Sequence, residues 1–187
     1  MTSDHFSAGV IFSSDEKERV WKILVASDAR FLKEDEKIGK VPIKTGKIIG
    51  GTNKDEVTKA LLNETAFDTL KREIMEEAKL TVLECYFVHS YDIPGRVAGT
   101  THTRYFYLVK RFSGSFPFDE IKSIKDGTDI VKIWWSNLRN FEEIIFKFPN
   151  HKEGYIKAFL KMAEYNEKFR QDNADMFARY SAMKFNK

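Results

Sequence analysis

From about Asp55 to Lys79 the sequence turns helical in pattern. Phe67, Leu70, Ile74 and Met75 recur at three- and four-residue steps with charged residues between them, and strand-like segments lie on either side. Before this stretch come Ala8-Gly9-Val10-Ile11-Phe12 and Val20-Trp21-Lys22-Ile23-Leu24-Val25, separated by Ser13-Ser14-Asp15-Glu16-Lys17, a hairpin signal. After it come Thr81 to Ser90, Thr103 to Val109 and Ile130 to Trp135, with Tyr91-Asp92-Ile93-Pro94-Gly95 read as a turn. Strands, one central helix, more strands and then helices imply an α+β chain whose sheet is mixed or antiparallel. The helical tail is expected in three pieces: Phe141 to Phe148, a stripe of Ile156, Phe159, Leu160 and Ala163, and Asp175 to Phe185.

The 187 residues suffice for a full hydrophobic core. At 42% hydrophobic and 14% aromatic, the chain is not disordered, collagen-like or coiled-coil. No apolar run approaches the roughly 20 residues of a membrane span. Met1 to His5 is polar, so no secretory leader is expected. The single cysteine, Cys85, excludes a disulfide-stapled fold; its strand context predicts a buried small hydrophobe, and the set of features fits the cytoplasm. The net charge of +3 is localised. Residues 151–187 hold eight Lys/Arg and five Asp/Glu, leaving 23 of each sign in the first 150. The basic excess therefore belongs to the tail and is weak support for RNA as a partner.

The segment Glu64 to Leu80 carries the chemistry. On a helix, Glu73 lies three residues from Glu76 and four from Glu77, so all three carboxylates can project on neighbouring ridges while Phe67, Leu70 and Ile74 face the core. Converging carboxylates repel, and a hard divalent cation such as Mg²⁺ or Mn²⁺ removes the conflict. Arg72 supplies a permanent cation able to fix a carboxylate rotamer. Glu64, two turns earlier, meets Arg72 only if the chain bends back. Gly50-Gly51 ends a short apolar run and lets a ligand approach the main chain.

In register, Glu64-x7-Arg72-Glu73-Ile74-x-Glu76-Glu77-x-Lys79-Leu80 resembles the Nudix box of the Nudix hydrolase superfamily, G-x5-E-x7-R-E-U-x-E-E-x-G-U with U aliphatic. Two departures stand out. Lys79 takes the place of the closing glycine. The first glycine is displaced, because position 58 is Thr58 and the Gly-Gly pair sits at Gly50-Gly51, which expands the preceding loop by seven residues. Gly50-x5-Glu56 offers an alternative register, but only Glu64 keeps its spacing to Arg72. Flanking segments agree: an opening Gly9-Val10-Ile11-Phe12 strand, and a closing Trp134-Trp135-Ser136-Asn137-Leu138 followed by Phe141-Glu142-Glu143.

The resemblance implies a Nudix-type α/β/α sandwich with a mixed sheet over residues 1–150, and a C-terminal helical extension, 151–187, packed on it. It implies Mg²⁺-dependent (or Mn²⁺-dependent) hydrolysis of a nucleoside diphosphate linked to another moiety. Glu73, Glu76, Glu77 and the main chain at Gly51 would be metal ligands. Glu73, Arg72 and Glu76 would be catalytic, Glu64 would support the network, and Asp126 or Asp129 could act as a loop base. Tyr91-Asp92-Ile93-Pro94-Gly95 and Asp126-Gly127-Thr128-Asp129-Ile130 look similar to loops of ADP-ribose pyrophosphatases, which favours ADP-ribose or a nucleotide sugar. Alternatives are a nucleoside triphosphate, the 5′ end of RNA, or a non-catalytic Nudix-fold binding module. Phe12, Trp21, Tyr91, Tyr105 and Trp134 are candidates to stack on a base, though strand aromatics are more often core. His89 and His102 are read as structural hydrogen-bonding residues.

Overall fold

The computed structural model describes residues 4–28, 32–37, 45–55, 58–95, 99–116, 122–123, 130–146 and 148–185. Strands β1 (His5–Asp15) and β2 (Val20–Asp28) form the expected hairpin, followed by a helical turn α1 (Glu34–Lys37) and the short strands β3 (Thr45–Gly46) and β4 (Ile49–Thr52). Helix α2 (Ala66–Ala78) precedes β5 (Thr81–Pro94), β6 (Thr101–Ser113), β7 (Lys122–Ser123) and β8 (Ile130–Asn137). A 3-10 segment (Leu138–Glu143), β9 (Ile145–Phe146), α3 (Pro149–Tyr165), α4 (Glu167–Asp172) and α5 (Ala174–Ser181) complete the chain.

The principal sheet runs β5-β6-β1-β2-β8-β7, and β4 also pairs with β1. It is mixed: β1 is parallel to β6 and antiparallel to β2 and β4. One edge of β1 is shared, with Phe6 to Gly9 paired to β4 and Phe12 to Asp15 paired to β2. At this fork the Gly50-Gly51 strand end lies beneath α2.

Period-two alternation sends side chains to two cores. Ala8, Val10, Phe12, Ile23, Val25, Phe106 and Leu108 point to one face, where Tyr155, Phe159, Phe169 and Tyr180 of α3–α5 cover them. Ile11, Leu24, Ala26, Tyr107 and Val109 point to the other, under Leu70, Ile74 and Ala78 of α2. Both faces are covered, so the architecture is an α/β/α sandwich within the α+β class. Each large apolar side chain buried this way contributes about 1.5–3 kcal/mol.

Several local expectations are corrected. The helix begins at Ala66 rather than near Asp55, because Thr65 caps it: its hydroxyl accepts from the Asp68 amide (3.2 Å) and the Asp68 carboxylate accepts from the Thr65 amide (3.4 Å). Phe67, expected to face the core, is 38% exposed. Tyr91 to Pro94 is strand, not turn, because β6 pairs along its whole length, through Pro94 opposite Thr101; a proline is tolerated at the end of an edge strand. Where a helix is expected from Phe141, the chain has the 3-10 segment ending at Glu143 and then strand β9 (Ile145–Phe146). Cys85 is half-buried, and burial pushes its thiol up to about 11. Among the described residues no helix is long and apolar enough to cross a membrane.

Candidate active site

Two ridges run side by side along α2. Leu70, Ile74 and Ala78 form the apolar one; Thr69, Glu73 and Glu77 form a polar one, and all six are buried. Glu73 (7% exposed) and Glu77 (5%) are thus carboxylates taken out of water, a placement that is costly unless each finds charge or hydrogen-bond partners.

Arg72 supplies that compensation for Glu73. Its Nε donates to Glu64 Oε1 (2.9 Å) and its Nη2 to Glu64 Oε2 (3.2 Å), a two-pronged contact. Its Nη1 donates to Glu73 Oε1 (2.8 Å) and Glu76 Oε2 (3.0 Å), and Nη2 also donates to the Thr52 carbonyl on β4 (2.9 Å). Burial works against the guanidinium charge, but the Glu64 hydrogen bonds and the charges of Glu73, Glu76 and Glu64 prevail and raise its pKa. Glu64 precedes the cap of α2, and this bend before the helix brings it back to Arg72.

Glu64 is itself fixed from behind. Thr69 Oγ1 donates to Glu64 Oε2 (3.0 Å) and lies 3.0 Å from His5 Nε2. The single hydroxyl hydrogen is spent on Glu64, so the network assigns the proton to His5 Nε2. The His5 amide donates to Asn53 Oδ1 (2.9 Å) and the Asn53 amide donates to the His5 carbonyl (3.1 Å), which joins the start of β1 to the end of β4.

Glu73 rests against Gly51. Burial pushes its carboxyl up to about 7; Arg72 pulls it down, Glu76 adds to the rise and Lys47 opposes it. Glu77 lies beside Gly50: its Oε2 accepts from the Gly50 amide (3.3 Å) and its Oε1 is 3.8 Å from Lys47 Nζ. Gly50 is required by space; at Gly51 the obstacle is the Glu73 carboxylate, which Arg72 holds in place. Gly50 has φ +150°, and a Cβ there would strike the Ser7 carbonyl and Ala8. A Cβ on Gly51 would strike the Glu73 carboxylate. Gly51→Ala is therefore expected to cost about 1–3 kcal/mol of stability in urea unfolding, as an overpacked site does. Adding Glu73→Ala should recover most of that loss, a non-additivity that two independent sites would not show. A Gly51→Ala protein as stable as the original would disprove the close fit.

The closing turn of α2 is made by Lys79 itself. It adopts φ 57° and ψ 31°, and its amide donates to the Met75 carbonyl (3.1 Å). This is the left-handed cap that glycine usually provides.

The donor set at the Gly50-Gly51 end is oxygen only: the carboxylates of Glu73, Glu76 and Glu77 and the nearby main-chain carbonyls. Such hard donors suit Mg²⁺ or Mn²⁺. In the structure these carboxylates face protein partners. Glu73 and Glu76 share Arg72, and Glu77 meets Gly50 and Lys47, so among the described residues no three His, Cys, Asp or Glu groups form a ready metal-binding trio. Asp126 and Asp129 lie outside the described residues. Glu64, Arg72, Glu73 and Glu76 are joined directly, with Gly51 against Glu73 and Glu77 one helical turn on. Lys47, Thr52, Asn53, Thr69 and His5 also belong to this network and are missed by sequence reading, because nothing in their spacing links them to the helix.

The other singled-out side chains have structural surroundings. Phe12 packs against Tyr155, Phe159 and Phe169, and Trp21 Nε1 donates to Asp172 (3.0 Å). Trp134 packs on the α3 side of the sheet, Tyr105 lies edge-on to His5, and Tyr91 stacks on Phe106. His89 meets Lys157 (3.0 Å) and His102 meets Asp4 (3.1 Å).

No family model matches the sequence, and no curated protein matches it. Solved structures do. The Nudix domain of Shewanella oneidensis NrtR, complexed with ADP ribose, superposes with a TM-score of 0.55 at 12% identity, over 87% of this chain and 90% of that one. A MutT/nudix family protein from Enterococcus faecalis superposes at 0.56 with 14% identity, over 98% and 76%. The E. coli ORF135 protein superposes at 0.53 with 16% identity, over 89% and 94%. At these identities the likeness is one of fold.

Proposed function

We propose that this Nudix-fold chain is a divalent-metal-dependent pyrophosphohydrolase that cleaves a nucleoside diphosphate linked to another moiety. The observation that carries the reading is the Arg72 hub, which binds Glu64, Glu73 and Glu76 at once over Gly51, with buried Glu77 one turn further along the helix. That arrangement orients three carboxylates beside the Gly50-Gly51 main chain.

Glu73, Glu76, Glu77 and the Gly51 carbonyl would hold Mg²⁺ or Mn²⁺. Such an ion supplies neutralisation of phosphate charge, polarisation of a phosphoryl oxygen and a more acidic bound water. Arg72 fixes the Glu73 rotamer, and Glu64, held by Thr69, fixes Arg72. Glu73 is one candidate for the group that takes the proton from the attacking water; Asp126 and Asp129 are the others. ADP-ribose or a nucleotide sugar is the favoured substrate, supported by the ADP-ribose-complexed fold neighbour. A cytoplasmic location belongs to the same reading.

RNA is less well supported. The tail's apolar stripe is buried on the sheet, and Lys157, Lys161 and Lys168 are paired with Glu153, Glu164 and Asp172. A non-catalytic nucleotide-binding module is favoured by one observation, that Arg72 and Lys47 already contact the carboxylates that would take the metal. A hydrolysis screen with Mg²⁺, Mn²⁺ or EDTA separates these readings. It should cover ADP-ribose, nucleotide sugars, nucleoside triphosphates, dinucleoside polyphosphates and 5′-triphosphate RNA. Metal-dependent release of a nucleoside monophosphate from ADP-ribose or a nucleotide sugar is the expected result. Saturable ADP-ribose binding with no turnover of any substrate would instead establish the binding module.

A further inference from the structure

Lys47 lies outside every segment that resembles the box, yet its ammonium sits among the site's oxygens. Its backbone is pinned by two hydrogen bonds to Ala26 on β2: the Lys47 amide donates to the Ala26 carbonyl (2.8 Å) and the Ala26 amide donates to the Lys47 carbonyl (3.1 Å). From this anchor the side chain, only 13% exposed, places Nζ 3.4 Å from the Gly50 carbonyl and 3.8 Å from Glu77 Oε1. The other Glu77 oxygen is held by the Gly50 amide. The Lys47 charge also acts on Glu73. A buried carboxylate oxygen and a main-chain carbonyl are hard donors of the kind a divalent cation takes. Lys47 occupies both.

We infer that Lys47 is a built-in counter-cation of the metal site: it holds Glu77 in place while no metal is bound and competes with the divalent ion for the Glu77 and Gly50 oxygens. The inference rests on the metal-site reading given under Proposed function. The charges of the cluster agree with it. Glu64, Glu73, Glu76 and Glu77 oppose Arg72 and Lys47, which leaves two negative charges when all are ionised, the complement of one divalent ion. Removing Lys47 leaves three, and takes the ammonium away from both oxygens.

Lys47→Met keeps the apolar stem and removes the charge. Mn²⁺ titration followed by electron paramagnetic resonance of the free ion reads affinity directly, without turnover. Lys47→Met is expected to bind Mn²⁺ about tenfold or more tightly than the original protein, and Lys47→Arg to bind within about threefold of it. In EDTA, Lys47→Met should melt at a lower temperature, since the buried Glu77 loses the Lys47 charge, and saturating Mn²⁺ should restore most of the difference. Unchanged or weaker Mn²⁺ binding by Lys47→Met overturns the inference. So does an equal loss of melting temperature in EDTA and in Mn²⁺, which is what a purely structural lysine would give. Glu77→Gln separates the two levels. Mn²⁺ binding lost in Glu77→Gln but unaltered in Lys47→Met rejects the role of Lys47 alone. Mn²⁺ binding unaltered in Glu77→Gln rejects the metal site and the inference together.

Discussion

Glu77→Gln is expected to lower metal-dependent hydrolysis by about a thousandfold, roughly 4 kcal/mol in barrier, with little change in fold. Glu77 is the most deeply buried carboxylate of the α2 cluster, and its position is set by the Gly50 amide and the Lys47 ammonium. Glutamine has the same length and keeps a carbonyl oxygen for the Gly50 amide, so the connection between helix and strand survives. It loses the negative charge that a divalent ion requires. The experiment pairs turnover of ADP-ribose or a nucleotide sugar at saturating Mg²⁺ with urea unfolding in EDTA. Turnover within tenfold of the original would remove Glu77 from the metal site. Cooperative unfolding with loss of turnover would locate the effect in chemistry and not in folding.

The second large effect concerns acid stability and His151. Its ring lies within α3, 1% exposed, among Phe6, Phe106 and Phe148, and its Nδ1 accepts from the Ile48 amide (3.1 Å). Burial, with the charges of Lys47 and Arg104, lowers its pKa to about 3. An unfolded histidine titrates near 6.5. Between these values the unfolded chain binds a proton that the folded chain refuses. The contribution is therefore present above pH 6.5 and is lost as pH falls toward 3, at up to about 1.4 kcal/mol per pH unit.

Glu73 acts in the opposite sense without metal. Its carboxyl, pushed up to about 7, takes a proton on the folded side first, so its contribution grows as pH falls from 7 toward the unfolded value. The wild-type curve alone mixes the two, and the difference between wild type and His151→Asn isolates the histidine. Asparagine offers an oxygen to the Ile48 amide and cannot be protonated. The variant is expected to be less stable at pH 7.5, through lost ring packing, and to close that gap steadily between pH 6 and pH 4. A gap constant across this range, measured by urea unfolding, would mean that His151 is not held neutral. The position matters for the site because Ile48 lies two residues before Gly50, so the same hydrogen bond ties α3 to the strand beneath Glu73 and Glu77.

The parts of the molecule legible in the sequence are those whose signal is local. Period-two alternation in β1 and β2 depends only on strand geometry, and both strands lie where the pattern puts them. The spacing of Arg72, Glu73, Glu76 and Glu77 depends only on helix geometry, and Arg72 does reach Glu64, Glu73 and Glu76. The errors share a cause. Phe67 reads as core because an apolar residue at helical spacing is normally inward, yet here the inward face also carries Glu73 and Glu77, so the buried stripe is rotated away from it. Pro94-Gly95 reads as a turn because local composition cannot register that β6 pairs as far as Thr101. Lys79 departs from the glycine pattern, yet the left-handed turn is retained, stabilised by the Met75 carbonyl and by Leu80, which is fully buried just beyond.

By itself the sequence determined a carboxylate-rich helix set between alternating strands, because helical and strand periods are properties of the backbone and survive without a partner. The tertiary structure alone decided which carboxylates are withdrawn from water and which cations answer them. Glu77 meets Lys47 across 30 residues, Arg72 meets the Thr52 carbonyl across 20, and His151 meets Ile48 across 103. Those meetings exist only because β1 divides its edge between β4 and β2, which carries the Gly50-Gly51 strand end under one ridge of α2.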